Sequence, residues 1–192
     1  MSLLTIRRAT PEDARLLAEL NGHVHGLHVA RRPDIYREQP SPDELMALYK
    51  DQLSRESVRI FIAELPEGKC VGYASATLQQ RAASALMHAD SFIVLNQLAV
   101  APKATRHGVG TALVNAVREA GRQAGCRRLL TEALDCNDEA RSFHEAAGFL
   151  CPQAPFTGSP AARPAATCRG RGRAVPRAAR PSPSGGSGAA AR

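Results

Sequence analysis

The chain has 192 residues, enough for one domain of ordinary size with a real core. Its formal charge of +7 is unevenly placed: residues 151–192 hold seven Arg and no Asp, Glu or Lys, and taking these from the 25 basic residues leaves 18 against 18 acidic ones. The neutral body argues against a nucleic-acid-binding domain, and five scattered cysteines without a Cys-x-x-Cys pair argue against a disulfide framework or zinc site. No apolar run approaches the ~18 residues that span a bilayer, and MSLLTIRRAT has no signal-peptide core, so no membrane partner and a cytoplasmic location are the default expectations.

In chain order, Leu3 to Arg8 reads as a first strand. Thr10-Pro11-Glu12-Asp13 then opens a helix, with Thr as cap, Pro in the first turn and Asp13 in place of the capping-box Glu. Its apolar face runs through Ala14, Leu17, Leu20 or Asn21, Val24 and Leu27. Ser41-Pro42-Asp43-Glu44 is a full capping box before a second helix with Leu45, Leu48, Tyr49 and Leu53 on its face. Between them, His28 to Pro40 reads as a polar, proline-punctuated link. Val58 to Glu64 and Cys70 to Leu78 form a hairpin about Leu65-Pro66-Glu67-Gly68-Lys69. Phe92 to Val100 is nearly all apolar, as expected of a central strand. Arg128 to Ala133 is a further strand, and Asn137 to Ala147 a short last helix that stops at Gly148.

The segment from Gln97 to Val114 is the most informative. Its strand ends at Pro102, which cannot donate to a sheet ladder, and a basic turn leads into a helix whose apolar positions 109, 112, 113, 116, 117 and 120 share one face. Gly108 and Gly110 leave the first-turn amides uncovered, at the positive end of the helix and without intrahelical acceptors. Such a turn can cradle a phosphorylated ligand. Leu113 occupies the place of the third glycine of a dinucleotide fingerprint, and no Gly-Lys-Ser/Thr follows as in a P-loop.

Val100, Pro102, Gly108 and Gly110, followed downstream by Asn137, Ala140, Phe143, Gly148 and Phe149, form an arrangement that resembles the GCN5-related N-acetyltransferases (the GNAT family). The resemblance covers about residues 1 to 150. It implies an α/β fold with a mixed, mostly antiparallel sheet flanked by helices, in the order β-α-α-β-β-β-α-β-α, and the first two helices and their link shaping an acceptor pocket. The implied activity is acetyl transfer from acetyl-CoA to a primary amine of a small molecule or peptide by direct attack on the thioester, with no metal.

The resemblance places the diphosphate on Thr105, Arg106, His107, Gly108, Val109, Gly110 and Thr111. It pairs the pantetheine arm with the backbone of Leu98, Ala99 and Val100, and sets Asn137 near the end of that arm. Two positions depart from the pattern. Thr105 stands where the family has Gln or Arg, removing a charge, and His144 follows Phe143 where the family's general acid is commonly Tyr. His has an ordinary pKa of about 6.5 against ~10 for Tyr, so His144 is mostly neutral at pH 7 while still an N–H donor. Glu132, Glu64 or a water chain are the candidate bases. Of His23, His25 and His28, only the last two share a helical face, which disfavours a metal and leaves pocket lining or solvent exposure.

Directly after Phe149 the sequence changes character. Residues 151–192 hold seven Pro, six Gly, eleven Ala and seven Arg, with no apolar period, so a disordered tail is expected in place of the family's last two strands. A reading-frame slip in a GC-rich gene yields such text, as does a genuine disordered extension. Loss of those strands would leave an acyl-CoA-binding remnant with impaired catalysis as the alternative function, and an open sheet edge that leaves a homodimer open. The run Arg169-Gly170-Arg171-Gly172-Arg173 supports a tail-driven nucleic-acid binder only weakly, since no aromatic lies near it.

Overall fold

A computed structural model describes residues 4–133, 138–150 and 166–170. Strands β1 (Thr5–Arg8), β2 (Val58–Glu64), β3 (Cys70–Arg81) and β4 (Asp90–Val100) pair antiparallel in sequence order. Helix α3 (Val109–Gln123) then carries the chain back, so β5 (Arg128–Ala133) lies parallel to β4, as a crossover connection requires. Helices α1 (Ala14–Arg31), α2 (Pro42–Ser54) and α4 (Asp138–Ala146) complete the expected order around a mixed, mostly antiparallel sheet.

Beyond α4 the chain departs from expectation. A two-residue strand, β6 (Phe149–Leu150), and a second one, β7 (Ala166–Gly170), extend the sheet to the order β1-β2-β3-β4-β5-β7-β6. Strand β7 pairs antiparallel with β5 from Leu130↔Arg169 to Ala133↔Ala166, and β6 pairs with β7. The expectation of no strand after Phe149 is corrected on this point. Main-chain pairing satisfies the free N–H and C=O groups of the β5 edge and needs no apolar period in the partner, so hydropathy patterning gives no sign of it. The remainder of 151–192, with its expected disorder, lies outside the described residues.

Both helix starts behave as their residues dictate. Asp13 accepts from the Thr10 amide at 2.8 Å and is gripped by both terminal nitrogens of Arg7, each at 2.8 Å, which fastens β1 to the start of α1 and holds the Asp13 carboxyl down to about 2. Ser41 and Glu44 close a reciprocal capping box on α2. Helix α1 runs four residues into the expected link, through Arg31, and on α2 it is Met46 that packs inward while Leu48 is exposed.

The two faces of the sheet are covered differently. On one, α3 supplies Val109, Leu113, Val114 and Val117 against Ala74, Ala76, Ile93, Leu95 and Phe149. On the other, α1 and α2 place Leu17, Leu20 and Tyr49 over Ile60, Ile62, Tyr73 and Ala99. Gly121 allows α3 to lie close, since a Cβ there would stand 2.7 Å from Ile93 Cγ2.

Candidate active site

Strand β4 has two neighbours for only part of its length. Its parallel ladder with β5 runs from Phe92↔Arg128 to Leu95↔Thr131 and stops. On the other edge it stays paired with β3 to Gly72↔Val100. The strands part at a β-bulge, where the register passes from Ala76↔Leu95 to Ser75↔Gln97 and leaves Asn96 as the extra residue. Past the bulge, the β5-side edge of Gln97, Leu98, Ala99 and Val100 has no strand partner among the described residues. Such an edge pairs with any extended segment that carries amides.

The chain leaves β4 through a 3-10 turn at Pro102–Ala104 and enters α3 with Gly108 as cap. Arg106 and Gly108 have left-handed backbone, φ 62° and 79°, with His107 between them on the ordinary side. Alternating handedness of this kind aims successive N–H groups into one concavity. No side chain caps the helix, and its first internal bond runs from the Ala112 amide to Gly108 O at 2.9 Å. The amides of Val109, Gly110 and Thr111 therefore precede every intrahelical acceptor. Arg106 and His107 are exposed beside them, and no acidic residue lies in the first turn.

The two glycines do different work. At Gly108 a Cβ would meet nothing within 4 Å, so this residue serves the left-handed backbone. At Gly110 a Cβ would sit 3.1 Å from Phe143 Cε2 and 3.9 Å from Leu98 Cδ2, so the missing side chain lets α4 and the open half of β4 close against the first turn of α3. The exposed Thr105 hydroxyl donates to Pro102 O at 2.9 Å, and His107 Nδ1–H donates to the Thr105 carbonyl at 2.7 Å.

His144, on α4, is 6% exposed, wedged beside the rings of Phe143 and Phe149 at centroid distances of 5.7 and 5.4 Å. Burial pushes its pKa below the ordinary value, and its buried Nδ1 has no partner among the described residues. It is thus a neutral imidazole at pH 7 with bonding capacity to spare. Glu132 stands in β5 opposite Thr167 of β7. Glu64 accepts from Arg7 Nε at 3.2 Å, so it is already committed to an ion pair. Asn137 lies outside the described residues. His25 and His28 flank Tyr36 at 6.4 and 4.8 Å between centroids, and His25 Nε2–H donates to Arg37 O at 2.8 Å.

One group of polar residues under β4 escaped the sequence reading. Asn21, Tyr49, Tyr73 and Gln97 meet on the α1–α2 face. The signal available was Asn21 itself, a polar residue at a core-facing position of an otherwise apolar helix stripe.

An open strand edge running toward an uncapped, cation-flanked helix start suits an extended ligand with amides along its length and anionic charge at one end. Comparison with known proteins agrees. The model of the acetyltransferase (GNAT) family matches residues 26–149, well over half of the chain. The chain belongs to the GNAT acetyltransferase family. An aminoglycoside N(6')-acetyltransferase type 1 of Stenotrophomonas maltophilia is 29% identical over 145 residues, 76% of this chain and 85% of that protein. Another of the same name, from Klebsiella aerogenes, is 29% identical over 111 residues, covering 58% and 71%. The fold is shared with a tetramutant of the BH1408 protein from Bacillus halodurans, at TM-score 0.74, 22% identity, and coverage of 81% of this chain and 99% of that one. It is shared too with the aminoglycoside N-acetyltransferase AAC(6')-Iy in complex with CoA, at TM-score 0.61, 21% identity, and coverage of 84% and 97%. Among the described residues of this GNAT protein, no helix is long and apolar enough to cross a membrane.

Proposed function

We propose that this GNAT protein is an N-acetyltransferase that moves acetyl from acetyl-CoA to a primary amine of a small molecule or peptide. The observation that carries this reading is the junction of the unpaired β4 edge, Gln97 to Val100, with the orphan amides at Val109 to Thr111. These residues fit the co-substrate: the diphosphate matches the amides of Val109–Thr111 and the Arg106 side chain, and the amide-bearing pantetheine arm matches Leu98–Val100 as an added strand. When bound, acetyl-CoA supplies an activated acyl group.

A main-chain N–H of the open edge polarises the thioester carbonyl, whose carbon the amine nitrogen attacks. The C–S bond breaks, the amine gives up a proton, and the departing sulfur takes one. His144 is the candidate donor to that sulfur: kept neutral by burial, it acts through an N–H, as a tyrosine acts through its O–H. Glu132 and Asn137 are retained for proton removal and for contact near the pantetheine end. Thr105, whose hydroxyl is already engaged with Pro102, contributes through its backbone position. The acceptor class rests on the relatives named for aminoglycosides, molecules that carry primary amines.

Calorimetry with acetyl-CoA, followed by thiol release against an amine panel, tests the reading. Saturable binding and amine-dependent thiol release are expected. Binding without release with any amine would instead identify an acyl-CoA-binding protein that does not turn over.

A further inference from the structure

The polar group under β4 is buried among apolar neighbours. Asn21, Tyr49 and Tyr73 are 4%, 1% and 0% exposed, set among Leu17, Leu20, Ile62 and Ala99, and Gln97 alone is partly exposed. The Gln97 amide donates to Asn21 Oδ1 at 2.7 Å. The other three contacts are oxygen to oxygen: Tyr49 with Tyr73 at 2.6 Å, Tyr49 with Gln97 Oε1 at 3.3 Å, and Tyr73 with Asn21 Oδ1 at 3.2 Å. Two hydroxyl hydrogens cannot serve three such contacts at once. Either Tyr49 donates to Tyr73 and Tyr73 to Asn21, or Tyr73 donates to Tyr49 and Tyr49 to Gln97. The Gln97–Asn21 bond is made in both arrangements, so it is the fixed member. Burial pushes the Tyr49 phenol up to about 12 and that of Tyr73 further, so both keep their protons at neutral pH.

The location gives this group its meaning. Without the bulge at Asn96, strand alternation would turn Gln97 toward α3. With it, both Asn96 and Gln97 face α1 and α2, and the Asn96 amide reaches Thr77 Oγ1 at 2.6 Å. Gln97 is thus held by α1 and α2 as the first residue past the bulge, two beyond the last β4–β5 pair. The Gln97–Asn21 bond, made in either arrangement and buried among apolar neighbours, fixes one geometry where an apolar contact would tolerate several.

We propose that Asn21, Tyr49, Tyr73 and Gln97 are positioning residues for acyl transfer: by holding the β4 bulge they set the spacing of the Leu98–Val100 main chain from β5 that the pantetheine arm needs. This rests on the reading of that edge as the acetyl-CoA site. The test uses the full chain as Tyr49→Phe, which removes the one hydroxyl shared by Tyr73 and Gln97, and as Gln97→Leu should the first variant fail to fold. Affinity is measured calorimetrically for acetyl-CoA and for ADP, a diphosphate without the arm, and amide hydrogen exchange is followed along β4 and α3.

For Tyr49→Phe, acetyl-CoA binding should weaken about tenfold and ADP binding stay within about twofold, with exchange at Gln97–Val100 accelerated about tenfold and Val114 and Val117 unchanged. Unchanged acetyl-CoA affinity, or equal weakening of both ligands with exchange accelerated throughout, would overturn the proposal. Failure of the unmodified chain to bind acetyl-CoA would overturn the functional reading and the positioning role with it; normal binding by the unmodified chain and an unaffected variant would overturn the positioning role alone.

Discussion

The two halves of β4 make opposite use of the same kind of residue. From Phe92 to Leu95 the strand is paired on both edges, and Ile93 and Leu95, 1% and 2% exposed, sit in the apolar core beneath α3. From Gln97 to Val100 the faces still bury apolar side chains beside the polar Gln97, with Ala99 2% exposed, yet among the described residues one edge is unpaired. The first half secures the fold and the second presents main-chain groups, and one extra residue, Asn96, divides them. A function that depends on main-chain groups can therefore sit inside a strand whose side chains look purely structural.

The largest expected effect tests the first half. Leu95→Ala should lower unfolding stability by about 2–5 kcal/mol through lost burial and a residual cavity, measured by denaturant titration, while the folded fraction keeps its acetyl-CoA affinity. A comparable loss of affinity in the folded fraction would erase the distinction between the halves.

Next comes the turn that the open half leads into. Gly108→Ala forces a side chain into left-handed backbone at a cost of about 1–2 kcal/mol, although space is free, and should reduce acetyl-CoA affinity by up to about tenfold as the amides shift. Gly108→Asn, which tolerates that backbone, should recover most of the loss. Equal affinities for all three proteins would separate the turn geometry from binding.

These two positions also show what can be read from sequence and what cannot. The helix start was legible because each of its causes is local: Pro102 stops the strand, two glycines open the turn, and the apolar period begins at Val109. The bulge was not, because in so apolar a strand an extra residue leaves no trace in the alternation. The network was not, because it joins positions 21, 49, 73 and 97 only through the fold. Gly110 was legible as a glycine but not for its contact with Phe143, which needs α4 in place. The pairing of β7 with β5 likewise depends on main-chain groups alone, which every sequence carries.

A smaller effect concerns pH. Because burial lowers the folded-state pKa of His144, the folded protein binds fewer protons there than the unfolded chain. Its contribution is complete above the unfolded value of about 6.5 and is lost as pH falls from there through the depressed folded value. His144→Leu should flatten that part of the stability profile below about pH 6.5, leaving the share of His28, which is depressed chiefly by burial and also by His25 and Arg31. An unchanged acid slope would contradict the burial assigned to His144.

The smallest effect is electrostatic. Arg106→Ala should weaken acetyl-CoA binding by about 0.3–1 kcal/mol at low salt, with the difference from the unmodified chain vanishing as ionic strength rises, because this side chain is exposed. A salt-independent loss would point to a direct, desolvated contact instead.

The central claim is that the open edge of β4 and the first turn of α3 form one continuous binding surface. Mapping amide NMR shifts during an acetyl-CoA titration of the full chain tests it most directly. The account predicts saturable shifts at Leu98–Val100 together with Val109–Thr111, and none at Ile60 or Leu129 on either side of the sheet; shifts confined to other residues, or to only one of the two segments, would contradict it.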